Sequence, residues 1–178
     1  SDQQLAALQR GHFFSRRFRF ADTGFCVASD NPAYIDKLQH IYEAFIAPDL
    51  ANISHSFYIL DRCDFSRQSC VIADRILYEF PRGETFLGKA EMFVLQRVID
   101  AIRSCFLLHA GVVAKQDAGH IIYAPSGFGK TTFVLRLVAE GYKFLSDEYC
   151  SIHSDDLTLH PFARRVGIKM SSPFLHLM

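Results

Sequence analysis

The stretch Ala124-Pro125-Ser126-Gly127-Phe128-Gly129-Lys130-Thr131 puts two glycines, a lysine and a hydroxyl into one turn. The apolar run Ile121-Ile122-Tyr123 enters it, and the helical pattern from Phe133 to Val138 leaves it. Such a turn suits a phosphate. Backbone N–H groups must converge on an anion, which asks for small residues with permissive dihedrals. The helix that follows adds unpaired N–H groups and the positive end of its dipole. Lys130 can reach terminal phosphates, and the Thr131 hydroxyl can ligate Mg²⁺. The pattern is G-x-x-x-x-G-K-[ST], with Ala124 in place of the first glycine. The candidate binding residues are Ser126, Gly127, Phe128, Gly129, Lys130, Thr131 and Thr132. The pattern alone implies only a nucleoside triphosphate, because switches, motors and kinases share it.

Two further clusters bear on the choice. Asp147 and Glu148 follow the apolar pair Phe144-Leu145, within or at the end of a strand. An acid near a triphosphate can hold the metal or its waters, or take the proton of an attacking hydroxyl. Adjacent strand residues point to opposite faces, so both acids approach one site only at a twist or a strand end. By themselves they also fit a solvated strand terminus paired with Lys143. In "LLHAGVV", His109 is expected within an apolar strand, buried or lining a cleft. A lone histidine there is more often a satisfied core residue, although Ala110 and Gly111 leave room for a ligand.

Together, "LLHAGVVA", "IIYAPSGFGKTT" and "LVAEGYKFLSDEY" resemble the catalytic core of the HPr kinase/phosphorylase family and its kinase-like relatives. The order and spacing of all three clusters match over roughly residues 105–170, and "HPFARRVGIKM" resembles the segment that follows in the relatives. The resemblance implies an α/β fold: a P-loop core with a mixed sheet of the HPr kinase/phosphoenolpyruvate carboxykinase type. A strand-rich α+β region would precede it, with residues 1–90 forming that region and 91–178 the core. It implies ATP and Mg²⁺ as cofactors, and transfer of the γ-phosphate to a serine or other hydroxyl of a small protein or peptide. It makes Asp147 the base, with His109 beside it and Lys130 on the phosphates. Thr131, Asp147 and Glu148 become the metal-side residues. Ala124-Pro125 replaces the usual Gly-Asp, and Glu148 replaces the usual Asp. A later family segment would lie beyond Met178, so a further C-terminal portion is expected. True family members form rings, which leaves room for a homo-oligomer.

Two other readings stay open. A nucleotide-binding regulatory module would need no acid poised over an acceptor. A metabolite kinase would want cations for a small anionic substrate, and Arg164, Arg165 and Lys169 are candidates; they also fit a solvated strand face.

The elements that must position these residues are legible from periodicity. "FFSRRFRFADTGFCVASD" reads as a hairpin around residues 21–24. "DNPAYIDKLQHIYEAF" reads as a helix capped by Asp30 or Asn31, with Tyr34, Leu38, Ile41, Tyr42 and Phe45 on one face. Three strands follow in "SHSFYILD", "SCVIAD" and "RILYEF". A second helix covers "ETFLGKAEMFVLQRVIDAIRSC", with Phe86, Phe93, Val98, Ile99 and Ile102 inward. "FLLHAGVVAK" and "HIIYA" should pair as strands about "QDAG", with 121–123 as an inner strand. Residues 130–140 form a helix that Gly141 ends. "KFLSDEYCSIHSD" and "LTLHPF" read as two more strands, and "VGIKM" as a possible third.

Nearly half of the 178 residues are apolar, enough for a full core. Lys and Arg number 19, as do Asp and Glu, so no net charge draws the chain to nucleic acid. No apolar run approaches the length of a membrane span, and the residues from Ser1 onward do not read as a basic-then-apolar signal sequence, so no membrane association is expected. The five cysteines are scattered, so reduced thiols and a cytoplasmic location are expected. A zinc site would want tightly paired His and Cys, and no such pairs are evident.

Overall fold

The computed structural model describes residues 13–61 and 68–164. Cys63, Arg165, Lys169 and the "VGIKM" segment lie outside them. The architecture is mixed α/β, and the chain divides into two compact units between Ile102 and Arg103.

The first unit is built on one mixed sheet. β1 (Phe14–Phe20) and β2 (Thr23–Ser29) form the expected hairpin, with Phe20 opposite Thr23. α1 (Pro32–Ile41) starts at Asn31, whose side chain accepts from the Ala33 amide at 3.1 Å. Proline at its start loses no helix bond, since that N–H has no intrahelical acceptor. Its inward face is Ile35 and Leu38, continued by Tyr42 and by Phe45 of a 3₁₀ turn, Glu43–Phe45. β3 (His55–Leu60), β4 (Ser69–Ala73) and β5 (Ile76–Phe80) complete the order β1-β2-β3-β4-β5. Among the described strands, β2 and β3 pair parallel and the other pairs are antiparallel.

α2 (Phe86–Ala101) packs on this sheet through Phe86, Ala90, Val94 and Val98. The sequence puts Phe93 and Ile99 on that stripe, but both are only half-buried. The true stripe also takes in Leu87 and Leu95, and the Phe93 ring lies against Tyr78 at the sheet edge. Glu91 is buried in the helix and accepts a hydrogen bond from the Tyr42 hydroxyl, which satisfies it.

The described residues of the second unit form two antiparallel sheets and one helix. β7 (Gly111–Lys115) lies between β8 (Ala118–Ile122) and β9 (Lys143–Ser146). β10 (Cys150–His153) lies between β6 (Cys105–Leu108) and β11 (Leu159–His160). Two expected single strands are therefore each broken. "FLLHAGVVAK" bends at His109-Ala110, and "KFLSDEYCSIHSD" bends at Asp147-Glu148-Tyr149. At each bend the chain leaves one sheet and enters the other, as strands do at the corners of packed sheets. Ala110, Val112, Leu145 and Cys150 form the core beside those bends, with Ile152 and Leu159 packed on it.

β8 is present but is not the inner strand expected. Among the described residues it pairs only with β7, and Ile121 is 45% exposed. A short apolar run cannot distinguish a central strand from an edge one. No helix of the described residues is long and apolar enough to cross a membrane.

α3 (Lys130–Ala139) ends at Gly141 in a Schellman arrangement: the Gly141 amide donates to Val138 O and the Tyr142 amide to Leu137 O. The helix presses closely on β7. A Cβ at Gly111 would fall 2.4 Å from Val134 Cγ2, and Val134 is fully buried. Gly111→Ala should therefore destabilise the chain by about 1–3 kcal/mol, the usual range for overpacking. The urea midpoint measures it, and an unchanged midpoint would show that helix and strand are not so close.

Candidate functional site

The turn between β8 and α3 carries two glycines at positive φ directly before the helix start. Gly127 and Gly129 stand at φ +87° and +80°, where a side chain is strained. A Cβ built on either meets nothing within 4 Å, so the space beside them is open. The Phe128 amide closes a turn onto Pro125 O at 3.3 Å, and the Phe128 ring is 77% exposed. Gly129 is the N-cap of α3 and supplies no side-chain cap. The first amides of the helix thus have no acceptor from the helix or from its cap. Ser126 is exposed in the turn, and Thr132 is half-buried in the first helical turn.

Lys130 is only 9% exposed. Its Nζ donates to Ala124 O at 3.3 Å and lies 3.2 Å from His109 Nε2, which accepts in the Nδ1–H tautomer. The ammonium is therefore held beneath the entry to the turn by two acceptors, neither of them anionic. Thr131 Oγ1 donates to Asp147 Oδ2 at 3.2 Å. This contact brings the helix start and the bend after β9 together, although 16 positions separate the residues.

His109 is not within a strand and not buried. It occupies the bend between β6 and β7 and is exposed. The apolar run around it continues on both sides, but the chain is changing sheets there. Its ring meets Lys130 Nζ and lies edge-on to Tyr149, with centroids 5.9 Å apart. Tyr149 in turn lies edge-on to Phe162 at 5.4 Å.

Asp147 and Glu148 stand at the strand end, in a bend shaped by buried Ser146. Its hydroxyl accepts the Glu148 amide at 3.2 Å and the Tyr149 amide at 3.0 Å. The bend separates the two acids. Asp147 turns to Thr131, while Glu148 accepts from Arg164 in an ion pair. The pairing considered for a solvated strand end, with Lys143, is replaced by this one. Ser146 and Tyr149 were not singled out from the sequence. A serine just before a turn is a weak cue; for Tyr149 there was none.

The donors fit a magnesium–triphosphate group. Mg²⁺ on a nucleotide keeps several waters and takes one or two hard oxygens from protein, and Thr131 Oγ1 and Asp147 Oδ2 are adjacent hard oxygens. Among the described residues no three His, Cys, Asp or Glu side chains converge on one ion position. No protein-family model, no curated protein and no solved structure matches the chain.

Proposed function

We propose that the second unit is the core of an HPr kinase-like phosphotransferase. It binds Mg·ATP on residues 124–132 and passes the γ-phosphate to a serine or other hydroxyl of a small protein or peptide. The observation that carries this is the Thr131–Asp147 contact beside a buried lysine. A turn that served only the chain reversal would need neither a buried ammonium nor an acid brought up from a distant strand. The mixed α/β architecture accommodates such a core, and the resemblance of the three clusters supplies the reaction class.

In this reading the uncapped amides of α3 and the Lys130 ammonium hold the phosphate oxygens. Asp147 accepts the proton of the acceptor hydroxyl. That oxygen forms a bond to the γ-phosphorus, the bond from the γ-phosphorus to the bridging oxygen breaks, and ADP leaves. Mg²⁺ would neutralise charge on the phosphates, with Thr131 and Asp147 as its nearest protein oxygens. Glu148, tied to Arg164, acts at one remove by fixing the bend that presents Asp147.

Calorimetric titration with ATP, with and without Mg²⁺, tests the binding half. Saturable Mg²⁺-dependent binding is expected. Thr131→Ala should lose about tenfold or more in affinity, since one bond to a charged group is lost, and Thr131→Ser should restore it. Absence of binding, or equal affinity for Thr131→Ala and wild type, would overturn the assignment.

A further inference from the structure

Tyr149 takes no step in the transfer described above, yet it stands between the two halves of the site. Its backbone belongs to the bend that presents Asp147: the Tyr149 amide donates to Ser146 Oγ at 3.0 Å, beside the Glu148 amide at 3.2 Å. Its ring meets His109 on the other bend, the crossing from β6 to β7, with centroids 5.9 Å apart and planes at 80°. His109 Nε2 in turn lies 3.2 Å from Lys130 Nζ. A path of contacts thus runs from the bend of the acid, through Tyr149 and His109, to the lysine at the start of α3. The Thr131–Asp147 contact joins the same two elements directly.

The Tyr149 ring is itself held. Phe162 is buried and lies against it, with centroids 5.4 Å apart and planes at 79°. The Phe162 amide donates to Leu145 O at 3.0 Å, just before the bend, and Arg164 pairs with Glu148 within it. Residues 162–164 therefore grip the bend at Leu145, Glu148 and Tyr149. Near-perpendicular rings at these separations are a favoured aromatic arrangement, stabilising beyond the area they bury. His109 needs such a support, because it is exposed and water competes for its ring nitrogens. Among the described residues, Tyr149 supplies its ring contact and Lys130 its hydrogen bond.

We infer that Tyr149 is a positioning residue: by holding the His109 ring it fixes Nε2 as the acceptor that keeps the Lys130 ammonium at the phosphate turn. The inference rests on the phosphate reading of residues 124–132 given above. A lysine ammonium is a point charge on a flexible stem. One that is ordered before the nucleotide arrives loses less freedom on binding, so preorganisation shows as affinity. The Tyr149 hydroxyl has no role in this; the ring does the holding.

The test is a double-variant cycle of Tyr149→Ala and His109→Ala in the whole chain, read by calorimetric titration with Mg·ATP. Tyr149→Ala should weaken binding by roughly two- to tenfold, the worth of one aromatic pair. His109→Ala should lose at least as much, and the double variant no more than His109→Ala, because one residue acts through the other. Tyr149→Phe keeps the ring and should bind like wild type. A second readout needs no nucleotide. Nitrogen-15 NMR of the His109 imidazole should show the Nδ1–H tautomer in wild type and in Tyr149→Phe, and a mixture of tautomers in Tyr149→Ala. Losses that multiply in the double variant, or an unchanged His109 tautomer in Tyr149→Ala, would overturn the inference. A role in packing alone would lower the urea midpoint and leave the tautomer as it is. If wild type binds no Mg·ATP, the phosphate reading fails by itself, and the tautomer still shows whether Tyr149 holds His109.

Discussion

Asp147→Asn should leave Mg·ATP affinity within about twofold of wild type and lower phosphate transfer by about 10² or more. The carboxamide has nearly the shape of the carboxylate, and its oxygen can still accept from Thr131 Oγ1, the partner that positions Asp147. What it loses is basicity. A base facing the acceptor hydroxyl acts mainly in the transition state, where the proton moves, so its loss falls on turnover rather than on ground-state binding. Labelled ATP with a panel of serine-bearing peptides and a phosphocarrier protein supplies the assay, and ADP release supplies a second readout. If Asp147 served only the metal, affinity and transfer would fall together and excess Mg²⁺ would rescue both. If wild type labels no acceptor and shows no Asp147-dependent turnover of ATP, the chain binds nucleotide without transferring phosphate. His109→Ala should cost less transfer than Asp147→Asn. Its direct contact is with Lys130, so part of its effect should appear in nucleotide affinity.

How far the sequence leads depends on whether a signal is local. Hairpins and helices were legible where alternation or helical spacing ran uninterrupted, as in β1–β2 and α1. The glycine turn was legible because its backbone demand falls on two residues, and both stand at positive φ. The breaks at His109 and at Asp147 were not legible. Each interrupts a run that stays apolar on both sides, and the interruption comes from two sheets meeting, not from a turn residue. That geometry moved His109 from a strand interior to an exposed bend against Lys130. It also gave the two acids different partners, Thr131 and Arg164, which their adjacency hid.

Lys130→Ala should weaken Mg·ATP binding by about 10- to 100-fold, corresponding to the roughly 1.5–3 kcal/mol of a charge-assisted hydrogen bond. Lys130 is buried, so its charge is poorly screened, and its present acceptors are a ring nitrogen and a carbonyl. A phosphate oxygen would offer the ammonium a full anion in their place, a gain that two neutral acceptors do not match. Packing must be separated from charge, because a long lysine stem covers apolar surface as well. Lys130→Met keeps that stem and removes the ammonium. It should therefore hold stability near wild type in urea while losing as much affinity as Lys130→Ala. Lys130→Arg keeps the charge but carries a planar fork on a buried path shaped for a point charge, and it should fail to restore tight binding. Equal affinities for wild type and Lys130→Met would show that the ammonium does not touch the nucleotide. Thr131 and Asp147 would then be a helix-to-strand contact with no bearing on phosphate. Loss in Lys130→Met with unchanged urea stability would place the triphosphate at the start of α3, within reach of the bend that carries Asp147.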